Sequence, residues 1–323
     1  MSLRSSALAA AVCVLAGAAP AAAADPPLTV PKARLHAALH CHGKLQGAKR
    51  RPIMLVTGTG ASGDEAYAIG KGAFDAYRHP VCTVNFPAFT TADIQVSVQY
   101  LVNGIRSMAR RAGQPIAIIG ISQGGLLPRF ALTYWPSLRA DVTDVLAAAG
   151  TQHGTTLFDP AGCAANGCAP AVWQQAAGSK LLAALNAQRD ETPGPTAWTT
   201  VRSTTDEVVQ PQTGPHPTSA LEGATNIVIQ SVCPGRLVSH IGTILDSVTF
   251  AAFTDAIAHT GAARVSRLPK GVCAHPFATG LDEAGTEAIL GASGNLITPR
   301  LVSQVPRVTA EPPVRAYARR TVD

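Results

Sequence analysis

The chain has 323 residues, 46% hydrophobic and 14% charged, with a formal net charge of +6. That length accommodates one large domain with a sizeable core, and that balance excludes an intrinsically disordered chain. The basic residues are scattered, with short runs only at Lys49 to Arg51 and Arg319 to Arg320, and no recognisable nucleic-acid motif accompanies them; no nucleic-acid partner is expected.

The first residues read as an export signal. Met1 to Arg4 supply a short positive start, Ala7 to Ala18 an apolar stretch, and Ala21 to Ala24 a small-residue run ending at Asp25. Residues 1–24 are therefore expected to be removed, leaving 25–323 as a single secreted domain. The apolar stretch is short for a membrane span, and no other segment is long and apolar enough for one. Apart from Cys13 in the signal, six cysteines remain: Cys41, Cys82, Cys163, Cys168, Cys233 and Cys273. In an exported chain an even set reads as disulfides before metal ligands. Cys163 and Cys168 could pass for half a zinc site, but no second pair completes it, so a local disulfide is favoured.

Residues 25–51 read as an irregular lead-in with a short helix at Ala33 to Leu39. Pro52 to Val56 is a buried strand ending in the tight loop Thr57 to Gly60, and Val81 to Phe86 is a second strand. From an N-cap at Thr91, Ile94, Val98, Leu101, Val102, Ile105 and Met108 recur at helical spacing until Gly113. Pro115 to Ile121 is a third strand, and Leu126 to Leu138 a helix in which Pro128 is an oddity. Val142 to Ala149, Trp198 to Arg202 and Asn226 to Val232 are later strands. Alternating buried strands and amphipathic helices predict an α/β fold, a mainly parallel sheet with helices on both faces. The long Pro-, Gly- and Thr-rich connections at 151–196 and 206–222 are expected to be functional. A tail from about 300 to 323 is expected to wrap the surface.

Gly120 to Gly124 fits the G-x-S-x-G elbow, with an apolar strand leading in and a helical run leading out. A sharp strand-to-helix turn exposes the Ser122 hydroxyl, and glycines at 120 and 124 remove side chains that would collide. A serine hydroxyl needs a histidine to take its proton and a carboxylate to orient that histidine. In this arrangement the partners follow in the order Ser, Asp or Glu, His. Asp206 lies just after the strand Trp198 to Arg202, with Glu207 as its rival; His240 follows the next strand, with His259 and His275 further on. An oxyanion needs donors as well. The backbone N–H of Gln123 is one, and the Thr57 to Gly60 loop supplies the other through the N–H and hydroxyl of Thr59. Losing one such donor costs about 2.7–4 kcal/mol of transition-state stabilisation.

These residues, with Val172 to Gln175 and Thr205 to Gln212, resemble the Candida antarctica lipase B-like family of serine lipases. The likeness runs from about residue 28 to about 275 and then becomes faint. It implies the α/β-hydrolase fold, Ser122 as nucleophile, Asp206 rather than Glu207 as acid, His240 rather than His259 as base, and Thr59 with Gln123 as oxyanion donors. It also implies Ile121, Thr155, Gln175 and Val208 as substrate-binding residues, and the pairs Cys41–Cys82 and Cys233–Cys273, leaving Cys163 to pair with Cys168. The departures carry expectations too. Ile121 stands where the family has Trp, which should leave more room for bulky leaving groups. Thr151 stands where the acyl pocket has Asp. The entrance helix looks replaced by the Cys163–Cys168 loop, and no C-terminal disulfide is available. The expected partner is an ester or lipid, met transiently at a lipid–water interface, with no metal or other cofactor implied and a monomer as the working form. Short-chain, bulky or polymeric esters are the alternative substrates, and a non-catalytic binding protein the alternative class.

Overall fold

A computed structural model describes residues 24–302 and 305–321. The expected export signal lies, but for Ala24, outside the described residues. Seven strands form one sheet: β1 (Leu39–His42), β2 (Ile53–Val56), β3 (Val81–Val84), β4 (Ile116–Ile121), β5 (Val142–Ala148), β6 (Ala197–Arg202) and β7 (Thr225–Val228). Their order is β1-β3-β2-β4-β5-β6-β7, and every pairing is parallel except β1 with β3. β1 falls in the stretch read as an irregular lead-in. Four half-buried residues, two of them histidines, leave no apolar alternation to read.

Successive strand residues feed two cores, as a period of two requires. Met54, Val56, Ile116, Ile118 and Val145 face one side; Ile53, Leu55, Ala117, Ile119 and Leu146 face the other. Helices cover both: α1 (Lys32–Ala37), α2 (Gly63–Tyr77), α3 (Ile94–Ala112), α4 (Gln123–Tyr134), α5 (Pro160–Asn166), α6 (Pro170–Gln175), α7 (Lys180–Asn186), α8 (Ser247–Ala258) and α9 (Glu283–Val302). The α3 stripe is buried as its spacing predicts. Its N-cap, however, is Asp93, whose carboxylate accepts from Gln95 N–H; the Thr91 hydroxyl donates instead to Ala88 O. α4 begins at Gln123, earlier than expected, and runs through Pro128. β7 stops at Val228, where the expected strand turns into one helical turn, Ile229–Val232.

Helix α9 has no counterpart among the elements expected from the sequence, and its last residues overlap the start of the tail expected from about 300. The stretch carries Gly285, Gly291 and Gly294, which mask the helical spacing of Ile289, Leu290 and Ile297, and the helix continues past Pro299. Beyond it, Val308 N–H and C=O pair with Cys168, and Tyr317 packs against Tyr134 and Trp135. The three disulfides pair as the resemblance implies: Cys41–Cys82, Cys163–Cys168 and Cys233–Cys273. Such bonds persist in oxidising compartments. Among the described residues, no helix is long and apolar enough to cross a membrane.

Strand order places the site. From β2 the chain crosses to β3 on one side; from β4 it crosses to β5 on the other. The loops leaving the C-terminal ends of β2 and β4 therefore diverge, and a crevice opens between them. Those loops carry Thr57 to Gly60 and Ser122.

Candidate active site

Ser122 sits between β4 and α4 at φ 58°, ψ −126°, a backbone region that a side chain adopts only under constraint. The constraint is steric and mutual. A Cβ on Gly120 would lie 2.1 Å from Gly124 O, and one on Gly124 would lie 2.1 Å from Val56 O. Gly58 was not singled out from the sequence, yet a Cβ there would lie 3.0 Å from that of Ser122. The Thr57 to Gly60 loop can thus lie against the elbow only because both surfaces are bare.

Asp206 and His240 come from the loops after β6 and β7. His240 Nδ1 lies 2.8 Å from Asp206 Oδ2, and both residues are buried. Asp206 Oδ1 accepts from the N–H groups of Val208 and Val209, both at 2.8 Å, which fixes the carboxylate. Glu207, the rival acid, points elsewhere: its Oε2 accepts the backbone N–H of His240 at 2.9 Å. The histidine loop is tied to the acid loop again through Val238, whose carbonyl accepts from Ser203 and Thr205 hydroxyls. His259 pairs with Asp255, and neither it nor His275 lines the cavity described next.

Ser122 and His240 open on one cavity of about 510 Å³. Its wall includes Thr57, Gly58 and Thr59, then Ile121, Thr151, Thr155 and Val208, with Ile241 and Ile244 after the histidine. The lining also includes Leu55, Ile69, Phe74 and Phe250, which pack in one apolar cluster with Ile121, and Gly70. The far wall is α9, through Ile289, Ala292, Ile297 and Leu301. The expectation that the Cys163–Cys168 loop replaces an entrance helix needs correcting. Residues 160–166 are themselves helical, and α9 borders the cavity.

Gln175 stands behind the wall rather than in it. Its amide is fully buried, with Oε1 accepting from Thr151 Oγ1 at 2.9 Å. Its Nε2 donates to Thr59 Oγ1 at 2.9 Å and to Gln123 Oε1 at 3.1 Å. The Thr59 hydroxyl in turn donates to Gln123 Oε1 at 2.7 Å. The hydroxyl expected to face an oxyanion thus spends its proton on Gln123 in this structure. Gln123 N–H, at the first position of α4, has no acceptor within its helix.

Comparison with known proteins bears on what such a site belongs to. No protein-family profile matches the chain. Lipase B of Candida (Pseudozyma) antarctica is 32% identical over 311 residues, covering 91% of this chain and 87% of that protein. The chain belongs to the lipase B family. It is accordingly a carboxylic ester hydrolase of the α/β-hydrolase fold. The crystal structure of Aspergillus fumigatus lipase B superimposes with a TM-score of 0.83 at 27% identity, covering 93% of this chain and 74% of that one. Mature Bacillus licheniformis lipase BlEst2 reaches a TM-score of 0.53 at 16% identity over 68% of this chain and 97% of that chain, a likeness of fold alone. The lipase B likeness does not end near residue 275. Stopping there would cover at most 275 of 323 residues, about 85%, less than the 91% matched.

Proposed function

We propose that this member of the lipase B family is a secreted enzyme that cleaves apolar esters through an acyl-enzyme, with residues 25–323 as one catalytic unit. Ser122 Oγ attacks the ester carbonyl while His240 Nε2 takes its proton. Asp206 Oδ2, accepting from Nδ1–H, holds the tautomer and stabilises the imidazolium. His240 then gives the proton to the leaving alcohol, and water repeats the sequence on the acyl-enzyme. The N–H groups of Thr59 and Gln123 receive the oxyanion, as does the Thr59 hydroxyl after turning from Gln123. Gln175 Nε2, already 3.1 Å from Gln123 Oε1, takes over the vacated acceptor, so the resting bond is exchanged rather than lost.

The observation that carries this reading is the Asp206–His240 contact of 2.8 Å beside a strained Ser122 on a shared cavity. The cavity's composition supports the substrate class. The leaving oxygen must lie near His240 Nε2, so Ile241, Ile244 and the part of the cavity lined by Ile121 and its apolar cluster flank the alcohol. That space is apolar and includes Gly70, which supports esters of bulky apolar alcohols beside glycerides.

Fluorophosphonate labelling followed by a nitrophenyl-ester chain-length series tests the reading. Ser122 is the expected labelled residue, and Ser122→Ala should lose turnover by roughly 10⁶-fold. Full activity in that variant refutes it. A glyceride emulsion assayed against a short soluble ester separates lipase from esterase preference.

A further inference from the structure

Gly60, the residue after Thr59, is held from three directions. Its N–H donates to Phe89 O at 2.8 Å. Its carbonyl accepts from Arg300 Nη1 at 3.0 Å. At φ +89° its bare Cα faces Ile297, and a Cβ there would lie 2.7 Å from Ile297 Cγ2. Arg300 and Ile297 both come from α9, the helix that walls the cavity.

Arg300 is itself fixed from several sides. It is 8% exposed, and its guanidinium lies 4.0 Å over the Phe89 ring. Its Nη1 and Nη2 meet the two oxygens of Glu65, each at 2.8 Å, in the fork geometry that a lysine cannot reproduce. Glu65 is in turn locked by the capping box that starts α2, accepting Ser62 N–H at 2.9 Å. Phe89 lies in a turn where Ala88, Phe89 and Thr90 have φ of 51°, 52° and 63°. Three consecutive left-handed side-chain residues are costly, and such strain persists only where surroundings over-determine it. Here it aims the Phe89 carbonyl at Gly60.

We propose that Arg300 is a positioning residue for the oxyanion hole, fixing the Gly60 peptide so that Thr59 presents its donors to the reacting carbonyl. This rests on the reading of Thr59 as an oxyanion donor. The Phe89 bond holds the Thr59–Gly60 peptide and the Arg300 bond holds the Gly60–Ala61 peptide, so both planes flanking Gly60 are fixed, and this anchors the C-terminal side of Thr59, whose own N–H lies in the preceding peptide. The side-chain network of Gln123 and Gln175 holds Thr59 from the opposite side. The cavity wall and the oxyanion loop therefore form one unit, joined at Arg300.

The test compares kcat and KM, per site titrated with a fluorophosphonate, for Arg300→Met, Thr59→Val and their combination. Arg300→Met should lower kcat by roughly tenfold to a hundredfold, within the range that small misplacements and lost oxyanion donors produce. KM should change by about twofold or less, and the two losses should not multiply in the combined variant. Unchanged kcat per titrated site, or losses that multiply, overturn the proposal and leave Arg300 a stability clamp. Should Arg300→Met fail to fold, Arg300→Lys decides. Its ammonium cannot serve Gly60 and both Glu65 oxygens together, and wild-type kcat there overturns the proposal. Wild-type kcat in Thr59→Val removes the Thr59 hydroxyl from the oxyanion reading but not its N–H, which valine keeps, and the kcat of Arg300→Met then decides the proposal by itself. A Thr59 effect with a silent Arg300 removes only the proposal.

Discussion

Replacing Gln175 by Leu separates a catalytic network from a packing one. Gln175 Oε1 accepts from Thr151 Oγ1, and its two N–H protons are shared among three acceptors, Thr59 Oγ1, Gln123 Oε1 and Ala171 O. Leucine fills similar volume but leaves the buried Thr151 hydroxyl without its acceptor and takes one donor from the half-buried Thr59 hydroxyl. A buried group left without a partner costs about 1–3 kcal/mol, and with Thr151 alone fully buried a stability loss of about 1–3 kcal/mol is expected. The kinetic effect is distinct. In the resting enzyme Thr59 still satisfies Gln123 Oε1. Once the Thr59 hydroxyl turns to the oxyanion, no Gln175 remains to replace it. That further 1–3 kcal/mol, approximately, is charged to the transition state alone, lowering kcat by roughly tenfold to a hundredfold at near-constant KM. Calorimetric Tm and site-titrated kinetics on a soluble nitrophenyl ester measure the two effects separately. A lowered Tm with wild-type kcat per titrated site refutes the exchange.

Asp206→Asn should keep the cavity and most of the stability while lowering kcat by about 10⁴, because an amide facing Nδ1 favours the wrong tautomer; a loss below tenfold, measured as kcat at neutral pH, contradicts the triad. The hydrogen bonds from Arg300 hold Glu65 down at about 2, against an ordinary 4.5. The folded value is depressed, so the pair's contribution is full above pH 4.5 and is lost as pH falls towards 2. The shift corresponds to about 3 kcal/mol. With the Glu65 side chain 34% exposed, solvent screening reduces this to roughly 1–2 kcal/mol. The difference in unfolding free energy between wild type and Glu65→Gln should therefore shrink between pH 4.5 and 2, as read by denaturant titration; a pH-independent difference contradicts it.

Much of the site was legible along the chain because its parts are short and contiguous. The elbow needs five residues and two flanking elements, and its glycines are required by contacts within the turn and with the neighbouring strand. Asp206 over Glu207 could not be decided from position alone, since adjacent residues share a loop. Backbone donors from Val208 and Val209 fix one carboxylate, while the other is spent on His240 N–H. The edge strand β1 and helix α9 escaped for opposite reasons. The first has no apolar alternation, and the second hides its apolar spacing among glycines.

The sequence by itself determined the parallel α/β layering, the turn at Ser122, the chain order of the candidate Ser, Asp and His, and the cysteine set, because each is carried by local pattern or by sequence order. Tertiary structure alone decided what surrounds the candidate oxyanion hole. Gln175 meets Thr59 across 116 residues, and Arg300 meets Glu65 and Gly60 across 235 and 240. No periodicity spans such separations. Those contacts exist only because the β2 and β4 loops diverge into a crevice and α9 returns to close its wall.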